Sequence, residues 1–473
     1  MPEIAPKKID LHRREMPKQE PDVRSQNFSE VALGYTPALA MEEARRCLQC
    51  KKPFCISNCP VQVNIPEFIQ AIATGDFTSG ARLLKNKNSL PSICGRVCPQ
   101  EEQCEENCAL TKRGGQIAIG RLERFLGDWD AGQSHTGLPE LPAPTGKKVA
   151  IVGGGPAGLT AAADLVKAGH RVVIFEALHK MGGVLSYGIP EFRLPKMIVD
   201  GEIDYLRRLG VEMRVDFVVG KTRTVDSLLE EFDAVFVGTG AGLPWFMDMP
   251  GNNLNGVYSA NEYLTRINLM KGYQYPNSAT PLKTHQKVAV LGGGNVAMDC
   301  ARTALRLGAE ASIIYRRSRS ELPARLEEIE NAEEEGVHFQ YLTLPVQSMS
   351  DRQHRVCGLK CIQMELGAPD ASGRRSPVAI SGSEHVLPFD CVIHAIGNSP
   401  NPLIPASTAG LTIGRNGNIV TDSETGRTSK DRVWAGGDIA TGAATVIMAM
   451  GAGRKAANSI HQYLTSLSTA STE

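Results

Sequence analysis

KVAIVGGGPAGLTAAADLVKAGHRVVIFE (148–176) decides the fold. An apolar run, VAIV, gives way to a glycine-rich turn. An alanine-rich amphipathic stretch follows, and then a second β-branched run, VVIF. Strand, turn, helix and strand in that order begin a parallel α/β unit. The turn carries Gly153, Gly155 and Gly158 in G-x-G-x-x-G spacing, with Pro156 and Ala157 before the last. The first glycine permits a tight turn. The second lets the backbone approach a pyrophosphate, and the third lets the helix pack close to the strand. The helix start offers free N–H groups and a partial positive charge to phosphates. Glu176 closes the second strand eighteen residues after Gly158, where an acid binds ribose hydroxyls.

The same design recurs in KVAVLGGGNVAMDCARTALRLGAEASIIYRR (287–317). Gly292, Gly294 and Ala297 form G-x-G-x-x-A around Asn295 and Val296, and the next strand ends at Tyr315-Arg316-Arg317 without an acid. An acid there would hold the 2′-hydroxyl of NAD and repel a 2′-phosphate, whereas arginines pair with that phosphate. Arg316 and Arg317 therefore predict NADPH over NADH at this unit. Two units predict two nucleotides on one chain.

Outward from these units the pattern changes. Residues 130–148, DAGQSHTGLPELPAPTGKK, read as a linker rich in Gly, Pro and Ser. Before it, TPALAMEEARRCLQC and IPEFIQAIATGDFTSGARLLKN space apolar residues three to four apart, as helices do. Toward the end, RVWAGGDIATGAATVIMAMGAGRKAANSIHQYL (432–464) reads as a strand, a turn and a final helix. The expected layout is a helical domain over 1–128, a linker over 129–147 and a first nucleotide domain over 148–280. A second nucleotide domain over 281–395 interrupts the first, which 396–473 completes. Lys+Arg and Asp+Glu are equal at 51 each, so no general pull toward nucleic acid or anionic membrane is expected. The polar start lacks an apolar signal region, and no apolar run approaches the ~20 residues of a membrane helix. A cytoplasmic protein is the expectation.

Eight of the twelve cysteines lie between Cys47 and Cys108. In a reducing compartment such a cluster argues for metal over disulfides. CLQCKKPFCISNCP (47–60) reads C-x2-C-x4-C-x3-C-P, and SICGRVCPQEEQCEENC (92–108) carries Cys94, Cys98, Cys104 and Cys108. Neither block repeats the paired C-x2-C of zinc ribbons. Two-cluster ferredoxin runs end in C-x3-C-P, and their last cysteine ligates the other cluster. By that logic Cys59 leaves its own block and joins Cys98, Cys104 and Cys108 at one [4Fe–4S] cluster. Cys47, Cys50 and Cys55 remain for a second cluster, one ligand short, with Cys94 and Glu123 as candidates. Cys300, Cys357, Cys361 and Cys391 read as incidental.

GGGPAG (153–158) and WAGGDIATG (434–442) resemble the two FAD signatures of the pyridine-nucleotide-disulfide oxidoreductase superfamily. The resemblance implies FAD in the first unit, with Gly437 and Asp438 at its ribityl or phosphate region. Thr445 and Val446 would open a helix whose positive end faces the flavin. VGTGA (237–241) and AIG, running from Ala395 to Gly397, match the crossings between the two domains. The redox cysteine pair that such reductases carry near the flavin is missing, so the N-terminal cysteines become the expected electron exit.

From about residue 25 to 465 the chain resembles the glutamate synthase small (β) subunit family. The same layout occurs in the N-terminal region of dihydropyrimidine dehydrogenase. It occurs also in the large subunit of NADH-dependent reduced ferredoxin:NADP oxidoreductase. CLQC, ICGRVCPQEEQCE, GGVLSYGIPEFRLP, GGGNVAMDCA, YRR and AGGD carry the likeness. It implies that Gln or Glu completes the first cluster, at a position that alignment through Ile117, Ile119 and Gly120 places on Glu123. It implies that Gly183, Val184 and Arg193 contact FAD. It implies an α-helical iron–sulfur domain followed by FAD- and NADPH-binding α/β domains, with two [4Fe–4S] clusters. Hydride would pass from NADPH to the flavin and single electrons outward, the cofactors carrying the chemistry. The implied partner in a hetero-oligomer is a large (α) subunit that makes L-glutamate from glutamine and 2-oxoglutarate. One rival expectation is a related flavoprotein serving ferredoxin, sulfur compounds or a pyrimidine-reducing partner. A non-catalytic scaffold is the other, and intact glycines, Glu176 and Asp438 argue against it.

Overall fold

A computed structural model describes residues 10–133, 138–371 and 373–470. Residues 134–137 of the expected linker lie outside the described residues. Lys148–Val152 and Arg171–Phe175 pair in parallel, from Lys148↔Arg171 to Val152↔Phe175. They sit inside a five-stranded sheet in the order Val433–Ala435, Ala234–Val237, Lys148–Val152, Arg171–Phe175, Glu212–Arg214, all parallel. Helices cover this sheet, which is why its strands other than the edge Glu212–Arg214 read as apolar runs. Helix Pro156–Lys167 packs along the last helix, Val446–Ala470. A Cβ on Gly453 would fall 2.2 Å from the Ala157 carbonyl oxygen, so that crossing requires glycine.

The second sheet repeats the plan: Val257–Ser259, Cys391–His394, Lys287–Leu291, Glu310–Ile314, His338–Gln340, again all parallel. Its edge strand precedes the expected boundary at 281. Val257 pairs with Val392, and Tyr263, Leu264 and Ile267 of helix Ala260–Asn268 enter the second core. Three residues of strand carry no period to read, and only the pairing assigns them. Thr343–Ser350, Val356–Pro369, Arg375–Ala379 and His385–Leu387 form an antiparallel sheet within this unit. The two crossings meet where Leu243–Pro244 pairs with Asn398–Ser399.

The N-terminal domain is helical. Ile65–Thr74 buries Ile65, Phe68, Ile69 and Ile72, the i, i+3, i+4, i+7 stripe of an amphipathic helix. Pro91–Val97 and Ile119–Ala131 cross closely, since a Cβ on Gly95 would lie 2.4 Å from the Arg124 amide nitrogen. The second of these helices runs past the expected boundary at 128. Its core is continuous with that of the first nucleotide unit, through Leu122, Leu126, Leu159 and Met450 among others. Among the described residues no helix is long and apolar enough to cross a membrane.

Candidate cofactor and metal centres

Gly153 and Gly292 begin the two glycine turns at φ +107° and +136°. A Cβ on either would fall 2.5 Å from Gly238 O or 2.3 Å from Ala395 O. Both sites thus demand glycine for conformation and for space. Gly158 is a matter of space alone, because its Cβ would sit 2.0 Å from Gly153 O. Pro156 is the first residue of the following helix, where its missing N–H costs nothing, and Ala157 is buried. Gly155 and Gly183 face each other across the cradle, Gly183 Cβ falling 2.9 Å from Gly155 Cα. Val184 starts the short helix behind Gly183.

Glu176 is buried, and its two oxygens accept from Gly154 N at 2.7 Å and Leu178 N at 2.8 Å. Burial raises its pKa, and those backbone bonds work against the rise. Gly437 closes against Ala157. Burial likewise raises the Asp438 carboxyl, whose Oδ1 accepts only a long 3.3 Å bond from Ala444 N. Thr445 Oγ1 accepts from Met448 N at 3.3 Å and caps the last helix, which begins at Val446. The structure adds two groups from within the VGTGA and GGVLSYGIPEFRLP stretches that the sequence reading did not single out. Thr239 Oγ1 is buried without a partner beside the crossing. Tyr187, pushed up to about 12 by burial, feels the charges of Asp438 and Glu176. An orphaned hydroxyl, an under-satisfied carboxylate and an open glycine turn fit a nucleotide with ribityl and ribose hydroxyls.

In the second unit, a Cβ on Gly294 would meet nothing within 4 Å, which leaves the helix start open to a phosphate. Asn295 Oδ1 accepts from Arg325 N at 3.0 Å, Val296 is exposed and Ala297 is buried. Ala395 is buried, and Gly397 at φ +112° borders open space. The two arginines differ from their expected shared role. Arg317 is buried, donating from Nε to Arg375 O at 2.8 Å and from Nη2 to Asp370 at 2.6 Å. The antiparallel sheet beneath the strand end captures it. Arg316 is exposed and makes no ion pair among the described residues. Arg193, expected at the FAD, is committed to the other unit. Its Nη1 donates to Asp299 at 2.7 Å and its Nε lies 2.9 Å from Glu328, leaving Nη2 for any flavin contact.

The cysteines form two groups. Cys47, Cys50, Cys55 and Cys108 ring one cavity. Cys59, Cys98, Cys104 and Glu123 ring another. Ile65 and Ile119 line both and separate them. Cys59 lies with the second block, but the expected places of Cys108 and Glu123 are exchanged. The reason is local. Beyond Cys104 a tight turn, with Cys108 N donating to Glu105 O at 3.1 Å, carries Cys108 past Ile119 to the outer side. Helix Ile119–Ala131 then aims Glu123, one turn on, inward. Cys94 is buried behind the inner cavity, its Sγ 3.4 Å from Met450 Sδ and 3.6 Å from Asn88 Oδ1. Asn88 Nδ2 donates to Glu123 Oε1 at 2.7 Å.

Burial pushes the Cys55 thiol up to about 12, and Cys47, Cys108 and Cys50 add to the rise. Burial moves Cys59 to about 11, with Glu123 and Cys94 contributing. A hydrogen bond with Cys94, then burial, raises Cys98, and burial raises Cys104. Glu123 is pushed up to about 7 by burial, against the Asn88 bond. Thiols raised in this way, Cys55, Cys59, Cys98 and Cys104 among them, need a cationic centre to become thiolates. Among the described residues no three His, Cys, Asp or Glu gather to hold a single metal ion. The two wider, thiol-ringed cavities fit iron–sulfur clusters.

Residues 24–135 match the family model of dihydropyrimidine dehydrogenase domain II, 4Fe–4S cluster. Residues 147–453 match that of pyridine nucleotide-disulphide oxidoreductase. Fold and sites together define an oxidoreductase of the two-nucleotide-domain class, preceded by an iron–sulfur domain. A glutamate synthase [NADPH] small chain from Halomonas elongata is 37% identical over 461 residues, covering 96% of this chain and 97% of that one. This chain belongs to the glutamate synthase small-chain family. The β subunit of an NADP(+)-dependent formate dehydrogenase from Moorella thermoacetica is 40% identical over 442 residues, 87% of this chain and 60% of that protein. The structure of Mycobacterium tuberculosis FprA in complex with NADPH shares the fold, with a TM-score of 0.57 and 20% identity. It covers 69% of this chain and 86% of that one.

Proposed function

We propose that this chain is an electron-input subunit. It oxidises NADPH at FAD and passes electrons through two [4Fe–4S] clusters to a separate large subunit, which forms L-glutamate from glutamine and 2-oxoglutarate. One observation carries the reading. Ile447, at the start of the helix that closes the FAD cradle, lines the inner sulfur cavity, and the inner and outer cavities share Ile65 and Ile119 as a wall. The sites therefore stand in a row from the flavin helix outward.

When bound, NADPH supplies a hydride, FAD divides two electrons into single ones, and the clusters conduct them. The chain supplies placement. Gly153, Gly155 and the N–H groups after Pro156 receive one pyrophosphate, and Gly292, Gly294 and the helix after Asn295 receive the other. Glu176 fixes the FAD ribose and Asp438 the ribityl or phosphate region. Arg316 reads the 2′-phosphate of NADPH. Cys59, Cys98, Cys104 and Glu123 hold the inner cluster, and Cys47, Cys50, Cys55 and Cys108 the outer. A carboxylate ligand steadied by Asn88 shifts the inner potential relative to an all-thiolate set. Twelve free cysteines suit a reducing cytoplasm.

The purified holoprotein is expected to carry roughly eight irons per FAD. NADPH should bleach the flavin, and the lone chain should form no glutamate. Glutamate formation without a partner, or an iron-free protein of full diaphorase activity, sinks the reading. The 40% identity to a formate dehydrogenase β subunit favours a second reading, the same input module serving another redox complex. The large chain that co-purifies from the native host decides between them.

A further inference from the structure

We infer that the outer sulfur site opens onto a docking face for an acidic protein carrying a one-electron acceptor. The inference rests on the outer cavity being a cluster site. Leu48 and Phe54 line that cavity and are 44% and 63% exposed. Its four cysteines are half-buried, whereas Cys98 and Cys104 of the inner set are buried. Two large apolar side chains left in water beside a redox centre form the middle of an interface.

A cationic rim surrounds them. Arg45, Lys51, Lys52, Lys112 and Arg113 are exposed, and each lies within three residues of a cavity-lining residue. None of the five makes an ion pair among the described residues. Two exposed acids, Glu67 and Glu106, adjoin the lining in the same way. The whole chain balances its charges at 51 each, so this excess is local. It also differs from the seam between the domains, where Arg193, Arg302 and Arg325 are all paired. An apolar centre with an unpaired cationic rim is complementary to a patch ringed by carboxylates, which it would steer toward the outer cluster.

The test uses the NADPH-reduced holoprotein and two one-electron probes that NADPH can reduce, cytochrome b5 (acidic) and mitochondrial cytochrome c (basic). The wild-type rate with cytochrome b5 should fall steeply between about 20 and about 300 mM salt, and the rate with cytochrome c should not. Lys51→Glu combined with Lys52→Glu should slow cytochrome b5 about tenfold at low salt and flatten that dependence. Phe54→Ser should slow it about tenfold at both salt levels. Lys112→Glu with Arg113→Glu, on a separate turn, repeats the charge test if the first pair loses iron. Unchanged cytochrome b5 rates in these variants, or a wild-type rate with cytochrome c that falls as steeply with salt, overturn the docking face. Iron content and NADPH-driven bleaching of the bound chromophores are measured first. Their absence in wild type fails the relay reading, which is a separate result.

Discussion

Cys108 and Glu123 sit on opposite sides of Ile119, and that side chain decides which sulfur site each serves. Cys108→Ser should therefore lose the outer cluster alone. Iron should fall from about eight to about four per FAD. The electron paramagnetic resonance spectrum should match that of Cys50→Ser and complement that of Cys98→Ser. A Cys108→Ser spectrum matching Cys98→Ser would restore the grouping read from spacing. The arginines divide in the same way. Arg316→Ala should reduce the preference for NADPH over NADH about tenfold in KM. Arg317→Ala removes a buried partner of Asp370 and should lower the melting temperature with the preference kept.

Two glycine turns of one design respond oppositely to one methyl group. Gly158→Ala drives a Cβ against Gly153 O and pushes helix Pro156–Lys167 off its strand, so the protein should purify without the 450 nm flavin band. Gly294→Ala meets open space, so FAD should be retained. The methyl then stands where a pyrophosphate approaches, and the Kd for NADPH should rise about tenfold. The last helix is tied to the first unit by His170, whose Nε2 lies 3.0 Å from His461 Nδ1 and whose Nδ1 lies 2.7 Å from Thr145 Oγ1. Burial, with His461 adding, holds His170 down to about 4. The unfolded chain titrates near 6.5, so between 6.5 and 4 it binds more protons than the folded one. Stability should fall by about 2 kcal/mol as pH drops through that window. Denaturant titrations of His170→Gln should show a flatter profile.

At the scale of the molecule, residues 10–35 strap the iron–sulfur domain to the second unit. Arg24 is 1% exposed and donates to Glu335 at 3.0 Å, Asn331 at 3.0 Å and Glu334 at 2.5 Å. Phe28 stacks on Tyr273 with centroids 4.4 Å apart. Burial opposes the Glu335 charge, but hydrogen bonds from Arg302 and Arg306 hold its carboxyl down to about 2. Arg24→Ala leaves part of this buried acid cluster uncompensated and should cost about 3 kcal/mol in denaturant titrations. Limited proteolysis should then cut within the strap, while iron and flavin content stay constant.

Both nucleotide units were legible in sequence because their glycines act within one strand–turn–helix, over fewer than ten residues. The joining of Cys59 to the second cysteine block was legible in its C-x3-C-P spacing, whereas the helix opening at Val446 was legible only through the family resemblance. The edge strand Val257–Ser259 was not, because it exists only through its pairing with Cys391–His394. Nor was the capture of Arg317 by Asp370, fifty-three residues away, or of Arg193 by Asp299, one hundred and six away. Cysteine spacing sets how many sulfurs a site can receive, but not the side of a side-chain wall on which each one lands. The sequence by itself determined that this chain has two dinucleotide folds and a sulfur-rich helical domain. The tertiary structure alone decided on which side of the wall Cys108 and Glu123 fall, because Ile65 and Ile119 come together from positions fifty-four residues apart to divide the two cavities.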